Sequence, residues 1–413
     1  MKGILVLIDG LGDLPCRQLN DKTPLESADT PNLDFIAARG EMGMMYSVKP
    51  GFIPESDEAI VAIFGNKQID STRGQLEARG ADLKLARGDL AFRANFASID
   101  SLEKGNILDR RVGRTLTTDE AEILSKSLNK INMPVEFIFK PTIQHRAVLV
   151  FKGGFSDNVS GNDSTYIQGM TLPATKTGYC KALDDDENSQ YSANITNEFI
   201  EKAFEVLNNH PINQERRKKG LLPANYLLIR GAGIEVPKLK LYRKWASFAY
   251  MPLEIGFSKL SGMSLYDFEY PKLKTLDAYK NLHDGLEKAC DFSIKMIKKL
   301  KDDFNYIYLH LKETDLPGHD NKPIEKKIMI EYIDKTLFKF LREFAPPNKI
   351  KVAVTGDHST TCKLKGHSAD PVPVLLYDDS ELREKHFSES NAEKGKLGKF
   401  NGNDFIKKIG FDK

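Results

Sequence analysis

The sequence has few cysteines, no long apolar segment and almost no net charge, and each shortage excludes a class of protein. Its cysteines lie far apart and form no CxxC pair, as expected of reduced thiols in the cytoplasm; they are Cys16, Cys180, Cys290 and Cys362. The apolar segment near the start covers only residues 4–8, whereas a signal peptide needs about 7–15 apolar residues and a membrane helix about 20. The 60 basic and 58 acidic residues leave a net charge of +2, which disfavours nucleic-acid and membrane partners. We therefore predict a soluble, cytoplasmic protein.

The apolar segments that are present indicate an α/β fold. The chain has 413 residues, of which 40% are apolar and 29% charged, as in a folded protein of about two domains. Several short apolar segments lack polar alternation, which is typical of strands buried on both faces of a parallel sheet; they are 3–8, 305–311, 351–355 and 372–377. Apolar residues at helical spacing in 286–300 and 324–344 predict helices between them. This alternation predicts a mostly parallel, doubly wound sheet.

The middle of the chain has a different pattern. Short strands with rough alternation are predicted at 90–99, 135–139 and 147–151, with a helix at 118–128. This is an α+β pattern, and the motifs of the first fold lie on both sides of it. We therefore predict a discontinuous core domain, 1–69 and 176–413, that carries a smaller inserted domain, 70–175.

Carboxylates follow three of the predicted parallel strands. Asp9, Asp315 and Asp357 each come just after an apolar strand, and in open α/β sheets ligands bind outside these strand ends. Histidines stand nearby in the sequence; they are His319, His358 and His367. Because Pro317 and Gly318 disfavour a helix, Asp315 and His319 are predicted in a tight loop. The adjacent Asp357 and His358 would diverge on a strand, so they are predicted either to lie in a turn or to serve two different centres.

This combination of side chains predicts a metal centre. A single aspartate after a strand usually forms a turn or caps a helix, so the prediction depends on the conjunction. Carboxylates and imidazoles together suit Mn²⁺, Zn²⁺, Fe or Co²⁺ better than Ca²⁺. Three Asp and three His are too many for one tetrahedral site and fit two ions about 4 Å apart, an arrangement used in phosphoryl transfer. The other histidines without such placement are interpreted as surface or core residues; they are His145, His210, His283 and His386.

Ser56 is a candidate nucleophile with an ordinary alternative. The segment Pro54-Glu55-Ser56-Asp57 precedes residues 59–64, whose apolar spacing is helical, so Ser56 is predicted near a helix N-terminus. Free N–H groups and the helix dipole favour an anion there. A serine in this position more commonly caps the helix, and the residues alone leave both interpretations open.

Taken in order, these motifs resemble those of a known family. Ile8-Asp9-Gly10, Pro54-x-Ser56-Asp57, Asp315-x-x-x-His319 and Gly356-Asp357-His358 are similar to motifs of the alkaline phosphatase superfamily. Within it the chain resembles the cofactor-independent phosphoglycerate mutases of the archaeal type, with supporting segments at 92–97, 109–114, 145–146, 156–160, 223–225, 230–231 and 367–374. The resemblance extends from residue 1 to about 377. It implies an alkaline-phosphatase-like core with an inserted α+β domain.

The resemblance also implies roles for individual residues. Ser56 matches a serine that is transiently phosphorylated. The ligands of one metal ion would be Asp9, Ser56, Asp357 and His358, and those of the other Asp315, His319 and His367. Residues facing the substrate would be Asn95, Asp109, Arg110, Arg111, Arg114 and Arg146, with Lys312 as a phosphate contact.

The implied activity is the interconversion of 3-phosphoglycerate and 2-phosphoglycerate in glycolysis and gluconeogenesis, through a phosphoserine and without 2,3-bisphosphoglycerate. Two divalent ions are implied, manganese first, with cobalt, magnesium or zinc as alternatives, and a homo-oligomer is one option. Glu55 and Glu58 depart from the family pattern beside the nucleophile, and like charges there would repel a phosphate. Two alternatives therefore stay open: a metal-dependent phosphatase or other phosphomutase on the same scaffold, and a non-catalytic protein that binds metal or a phosphosugar.

Overall fold

The structure is a computed structural model that describes residues 1–67, 73–163, 175–379 and 386–412, together with the backbone of 166–167 and 170–171. Its strands, in chain order, are β1 Gly3–Ile8, β2 Gly40–Tyr46, β3 Leu90–Ile99, β4 Ile107–Asp109, β5 Phe137–Pro141, β6 Arg146–Phe151, β7 Tyr166–Ile167, β8 Met170–Thr171, β9 Tyr226–Gly233, β10 Trp245–Phe248, β11 Ser264–Tyr266, β12 Tyr306–Leu311, β13 Lys351–Thr355, β14 Ser359–Thr361, β15 Gly366–Ser368, β16 Val372–Tyr377 and β17 Gly398–Asn401.

The helices, in chain order, are α1 Pro24–Ser27, α2 Pro31–Ala37, α3 Ser56–Ile63, α4 Arg73–Gly80, α5 Thr118–Leu128, α6 Glu187–Asn208, α7 Pro211–Lys218, α8 Pro252–Leu260, α9 Ala278–Leu300, α10 Asp315–His319, α11 Pro323–Ile333, α12 Lys339–Phe344, α13 Glu389–Glu393 and α14 Phe405–Lys408. One π-helical turn, Asp334–Phe338, joins α11 to α12, so the predicted helix at 324–344 is continuous with a local change of pitch. Among the described residues, every helix is too short or too polar to cross a bilayer.

The central sheet has eight strands in the order β11-β10-β12-β1-β13-β16-β2-β17. Five of its seven strand pairs are parallel, and the pairs β13–β16 and β16–β2 are antiparallel. All residues of β1 are buried, because helices cover both faces of the sheet. The predicted mostly parallel α/β fold is therefore confirmed, and β1 lies at its centre with β12 and β13 on either side.

A second sheet of five antiparallel strands forms the inserted domain. Its order is β4-β3-β6-β5, and β9 pairs with β3 on the other side from β6. Its apolar core includes residues of α5, such as Leu124, and of α6, such as Phe199. The residues of α6 and β9 therefore belong to this domain, and the return to the core lies after Gly233 instead of at the predicted 175/176. The other predicted boundary, 69/70, lies outside the described residues.

Helices α4 and α8 pack closely where the two domains meet. A Cβ atom on Gly80 would lie 1.7 Å from the carbonyl oxygen of Pro252, and one on Gly256 would lie 1.9 Å from that of Leu76. Such distances are far below van der Waals contact, so a side chain at either position would clash. The two backbones can approach this closely because both residues are glycine. This contact fixes α4, and with it Arg73, beside the site.

Candidate active site

The three strands at the centre of the sheet deliver the predicted carboxylates to one edge. Asp9 follows β1, Asp315 begins α10 after β12, and Asp357 follows β13. Because β12, β1 and β13 are adjacent and parallel, their carboxyl ends lie side by side. The histidines arrive on the β14–β15 hairpin and on α10, where His358 directly precedes β14, His367 lies on β15 and His319 ends α10.

The predicted tight loop at Asp315–His319 is wrong, because these residues form a single helical turn, α10. Pro317 is tolerated there since it falls within the first turn, where backbone N–H groups have no partner in the helix. Gly318 lets the turn approach the neighbouring hairpin: a Cβ at this position would lie 2.5 Å from the carbonyl oxygen of Thr360. The helical turn puts Asp315 and His319 on the same face, as their i, i+4 spacing requires. Asp357 and His358 lie in a bend between the end of β13 and the start of β14.

Four of the predicted side chains converge on one point. His358 Nε2 lies 3.2 Å from Ser56 Oγ, 3.3 Å from Asp9 Oδ1 and 3.3 Å from Asp357 Oδ2. All four residues are more than nine-tenths buried. Backbone N–H groups of Gly10 and His358 each donate to Asp357 Oδ1 at 3.0 Å, which turns Oδ2 toward the other three ligand atoms.

The other three predicted side chains form a second cluster beside the first. Asp315 Oδ2 lies 3.4 Å from His319 Nε2, and its Oδ1 lies 3.7 Å from His367 Nε2. The His358 and His367 rings stack at 3.8 Å between centroids, so the two clusters share a wall. Asp315, His358 and His367 also lie close enough for one ion to reach all three.

Hydrogen bonds made by Nδ1 of each histidine orient its Nε2 toward the cluster. Thr360 Oγ1 donates its only proton to Asp315 Oδ1 at 2.7 Å. In the 3.0 Å contact between Thr360 Oγ1 and His358 Nδ1, the ring N–H is therefore the donor and the hydroxyl oxygen the acceptor. In the same way Nδ1 of His367 donates to the Pro54 carbonyl at 2.8 Å and Nδ1 of His319 to that of Lys365 at 3.3 Å. Each Nε2 therefore keeps its lone pair for a ligand. Burial lowers the pKa of His358 to about 3, which keeps that ring neutral.

These two clusters fit divalent metal ions. Donor atoms about 2.1 Å from a tetrahedrally bound ion lie roughly 3.4 Å apart, which is close to the distances within each cluster. Among the described residues, Asp9 Oδ1 and Asp357 Oδ2 are buried without a hydrogen-bond donor, an arrangement that is costly unless a cation balances them. The donor set of Asp, His and Ser suits a transition-metal ion better than Ca²⁺.

The helix that carries Ser56 is capped by other residues. Glu55 is the N-cap of α3, and its backbone N–H donates to the Glu58 carboxylate at 2.9 Å. Ser56 is the first helical residue, and its hydroxyl faces His358 instead of capping the helix. The interpretation of Ser56 as an N-cap serine is therefore wrong.

The negative charge of the two glutamates beside Ser56 is offset in two different ways. Glu55 contacts Arg73 at 2.6 Å and Arg230 at 3.1 Å. Burial would raise the pKa of Glu55, but the guanidinium groups of Arg230 and Arg73 outweigh it and lower that pKa to about 2. Burial, followed by the charge of Asp57, raises the pKa of Glu58 to about 8, so this carboxyl is largely protonated at neutral pH. The repulsion of an incoming phosphate that Glu55 and Glu58 would otherwise cause is therefore largely removed.

A cleft lined by arginines opens in front of Ser56, between the two domains. Its guanidinium groups come from α4, from β3, β6 and β9, and from the segment after β4; they belong to Arg73, Arg93, Arg146, Arg230 and Arg111. The cleft holds a cavity of about 80 Å³, and a second cavity of about 100 Å³ adjoins it at Arg111, Arg146 and Lys312. Both are well below the roughly 300–1,000 Å³ of sites for drug-sized ligands, so they suit a small anion.

The remaining predicted substrate residues have varied surroundings. Asn95 Oδ1 accepts from Arg93 at 3.3 Å, Asp109 accepts from the backbone of Arg111 at 2.7 Å, and Arg110 pairs with Asp163. Arg114 reaches across the domains and donates to both oxygens of Asp320, at 2.5 and 2.8 Å.

Lys312, predicted to contact phosphate, lies beside the first cluster and lines both cavities. Its Nζ is 2.5 Å from Asp9 Oδ2 and 2.8 Å from Glu254 Oε1. Although burial alone would lower the pKa of Lys312, the carboxylates of Asp9 and Glu254 raise it above its usual range. It therefore carries a positive charge that partly balances the buried carboxylates.

Several site residues were not predicted from the sequence. They are Arg73, Arg93, Arg230 and Glu254 in the cleft, Thr360 between the clusters, and His310 beside Asp357. A signal existed for Arg93, Arg230 and His310, because each is an ionisable residue within a largely apolar strand. His145, interpreted as a surface or core residue, is buried and lines the second cavity.

The fold and these ligand clusters define the class of α/β metalloenzymes. A family model described as the metalloenzyme superfamily matches residues 239–413, and one described as 2,3-bisphosphoglycerate-independent phosphoglycerate mutase matches residues 37–213. Curated phosphoglycerate mutases of this description are similar over nearly the whole chain. One from Pyrococcus furiosus is 40% identical over 98% of this chain and 95% of that protein. One from Archaeoglobus fulgidus is 37% identical over 98% of this chain and 96% of that protein.

Solved structures agree with these sequence matches. A Pyrococcus horikoshii protein is 31% identical and aligns over 100% of this chain and 98% of that one, with a TM-score of 0.73. The cofactor-independent phosphoglycerate mutase of Thermoplasma acidophilum is 27% identical over 98% of both chains, with a TM-score of 0.54. The chain belongs to the 2,3-bisphosphoglycerate-independent phosphoglycerate mutase family, and the family predicted from its motifs is confirmed.

Proposed function

We propose that this chain interconverts 3-phosphoglycerate and 2-phosphoglycerate through a phosphoserine at Ser56, without 2,3-bisphosphoglycerate. The observation that carries the proposal is the position of the Ser56 hydroxyl. It lies at the N-terminus of α3, 3.2 Å from His358 Nε2 and at the mouth of the arginine-lined cleft. An incoming phosphoryl group would meet Ser56 Oγ, the N–H groups of the helix and the guanidinium groups together.

Two divalent ions would be held by the clusters described above. One would be bound by Asp9, Ser56, Asp357 and His358, the other by Asp315, His319 and His367. When bound, such ions lower the pKa of a coordinated hydroxyl and neutralise phosphoryl oxygens, and Mn²⁺ is the preferred candidate over Co²⁺, Mg²⁺ or Zn²⁺. The Nδ1 hydrogen bonds of the three histidines would fix their rings for this task.

The chain's own residues would then bind and orient the substrate. Arginine forks bind carboxylate and phosphate with two hydrogen bonds each, so the guanidinium groups of the cleft can hold both ends of phosphoglycerate. In the forward step the Ser56 hydroxyl loses its proton and Oγ bonds to phosphorus, while the ester oxygen of the substrate leaves and takes up a proton, which produces phosphoserine and glycerate. In the return step the other hydroxyl of glycerate loses its proton and bonds to phosphorus, while Ser56 Oγ leaves and is protonated again.

A mutase must keep water from the phosphoserine while glycerate turns. The adjoining cavity of about 100 Å³ gives a three-carbon acid space for this reorientation. The Arg114–Asp320 pair spans the two domains at one side of that cavity and would hold the cleft closed. Closure of this kind excludes water and keeps the released glycerate in place.

Phosphorus NMR of the purified protein with 3-phosphoglycerate and Mn²⁺, and without 2,3-bisphosphoglycerate, tests the proposal. We expect the signal of 2-phosphoglycerate to grow with little free phosphate. Free phosphate as the main product would replace the proposal with a phosphatase. If the substrate signal did not change although Mn²⁺ was bound, the chain would be a binding protein.

A further inference from the structure

A buried histidine behind the metal ligands has no part in the reaction proposed above. His310 lies on β12 between Leu309 and Leu311, and its side chain is fully buried. A buried polar side chain requires partners, since an unsatisfied one costs free energy. The groups around His310 therefore indicate what it does.

The alternation of β12 directs His310 toward the site. Successive side chains of a strand point to opposite faces, so His310 and Tyr308 share one face while Leu309 and Leu311 share the other. Leu309 and Leu311 pack in the largest apolar cluster of the core, and Tyr308 packs in the cluster on the opposite side of the sheet. On this face, the carboxyl end of β12 lies close to Asp357. Asp357 follows β13, the strand on the other side of β1.

Two buried atoms without hydrogen-bond partners face each other at this point. His310 Nε2 and Asp357 Oδ2 are 3.5 Å apart, and within the described part of the chain neither has a hydrogen-bond partner. Asp357 Oδ1 is already held by backbone N–H groups of Gly10 and His358. Oδ2 is thus the oxygen that faces the ion site, and its second lone pair is available to His310.

Two groups face the other ring nitrogen of His310. The Tyr308 hydroxyl lies 3.1 Å from Nδ1, and Glu254 Oε1 lies 3.7 Å from it. When the Tyr308 hydroxyl donates to Nδ1, the ring proton resides on Nε2. A neutral donor orients a carboxylate without repelling a cation bound on its other side.

We propose that His310 is a positioning residue for the metal centre, whose Nε2–H orients the Asp357 carboxylate while Tyr308 fixes the ring tautomer. The inference rests on the proposed metal site of Asp9 and Asp357, and it does not depend on which phosphate ester is the substrate. Outer partners of this type contribute about 10–100-fold in metal affinity.

The test is a titration of metal-free protein with Mn²⁺, in which electron paramagnetic resonance measures the free ion, so no activity is needed. His310→Met removes the donor, while His310→Gln keeps an N–H near the position of Nε2. We expect His310→Met to weaken one of the two Mn²⁺ sites about 10–100-fold and leave the other unchanged, and His310→Gln to stay within a few-fold of the parent protein. Tyr308→Phe should weaken the same site, and Tyr306→Phe, on the same face of β12, should not.

The possible outcomes separate this inference from the proposed function. If Asp9→Asn leaves Mn²⁺ affinity unchanged, the metal site itself is wrong. If Asp9→Asn weakens binding but His310→Met and Tyr308→Phe do not, only the role of His310 is overturned. If His310→Gln loses as much affinity as His310→Met, His310 binds the ion directly and is not a positioning residue. Should His310→Met fail to fold, the Tyr308→Phe and Tyr306→Phe comparison decides.

Discussion

Replacing Glu55 by glutamine should destabilise the protein in a pH-dependent way. The side chain of Glu55 is 18% exposed and contacts Arg73 at 2.6 Å and Arg230 at 3.1 Å. These contacts overcome the effect of burial and lower its pKa from 4.5 to about 2. At about 1.4 kcal/mol per pH unit, this difference corresponds to roughly 3 kcal/mol of stability. Glutamine imitates the protonated acid, so Glu55→Gln should lose about that amount at pH 7.

The sign of the pH dependence follows from the lowered pKa. The contribution of Glu55 is complete above about pH 5, where the carboxylate is charged in the folded and unfolded chains alike. This contribution declines as the pH falls below 4.5 and is gone below pH 2. The free energies of unfolding of parent and variant should therefore differ by only about 2 kcal/mol at pH 3.5.

Urea unfolding of parent and variant in the presence of a chelator measures this difference, since bound metal would add its own pH dependence. The exposed Glu205 of α6 provides a control, and Glu205→Gln should change the free energy of unfolding by less than about 0.5 kcal/mol. A difference below about 1 kcal/mol for Glu55→Gln at pH 7, or one that does not shrink at pH 3.5, would refute the reasoning.

Three further perturbations test the site. Ser56→Ala should abolish the phosphoenzyme detected by mass spectrometry but still bind metal through the other ligands; a variant that isomerises substrate would contradict the assigned nucleophile. Chelation should abolish activity and lower the unfolding temperature, because an ion present at 100 times its Kd stabilises the folded state by about 2.7 kcal/mol; an unchanged unfolding temperature would count against the metal sites. Asp320→Asn breaks the pair with Arg114 across the domains and should raise the ratio of free phosphate to isomerised product, measured by phosphorus NMR, whereas Asp119→Asn, in a more exposed pair between the domains, should not. Equal ratios in the two variants would show that the Arg114–Asp320 pair does not exclude water.

The sheet and the carboxylates at its edge were predictable because their signals are local. Asp9 and Asp357 stand directly after apolar strands, and the topology of parallel sheets brings such residues together. The cleft arginines were less predictable. Arg93 and Arg230 lie in apolar strands, but which side of those strands faces the core depends on how the two domains pack, which no local pattern encodes.

Long-range pairing also explains the misplaced domain boundary. The last strand of the inserted domain, β9, pairs with β3, whose residues lie more than 120 positions earlier in the chain. Its sequence alone resembles any strand of the core. The signal of His310 is weak, because Tyr306 and Tyr308 share its face of β12 and are apolar enough to hide the alternation. Pro317 led to the incorrect prediction of a loop at Asp315–His319, because a proline in the first turn does not prevent a helix.

The central position of β1 has a consequence for the synthesis of the chain. Both of its neighbours, β12 and β13, are made some 300 residues later. At 5–20 residues per second, this fully apolar strand waits roughly 15–60 s on the ribosome without its partners. During that interval it is a site for aggregation or for chaperone binding. Because Asp357 and His358 follow β13, a nascent chain could complete the proposed site of Asp9, Ser56, Asp357 and His358 only after residue 358 had been made. Metal binding at that site would then report that β1 has found both of its neighbours.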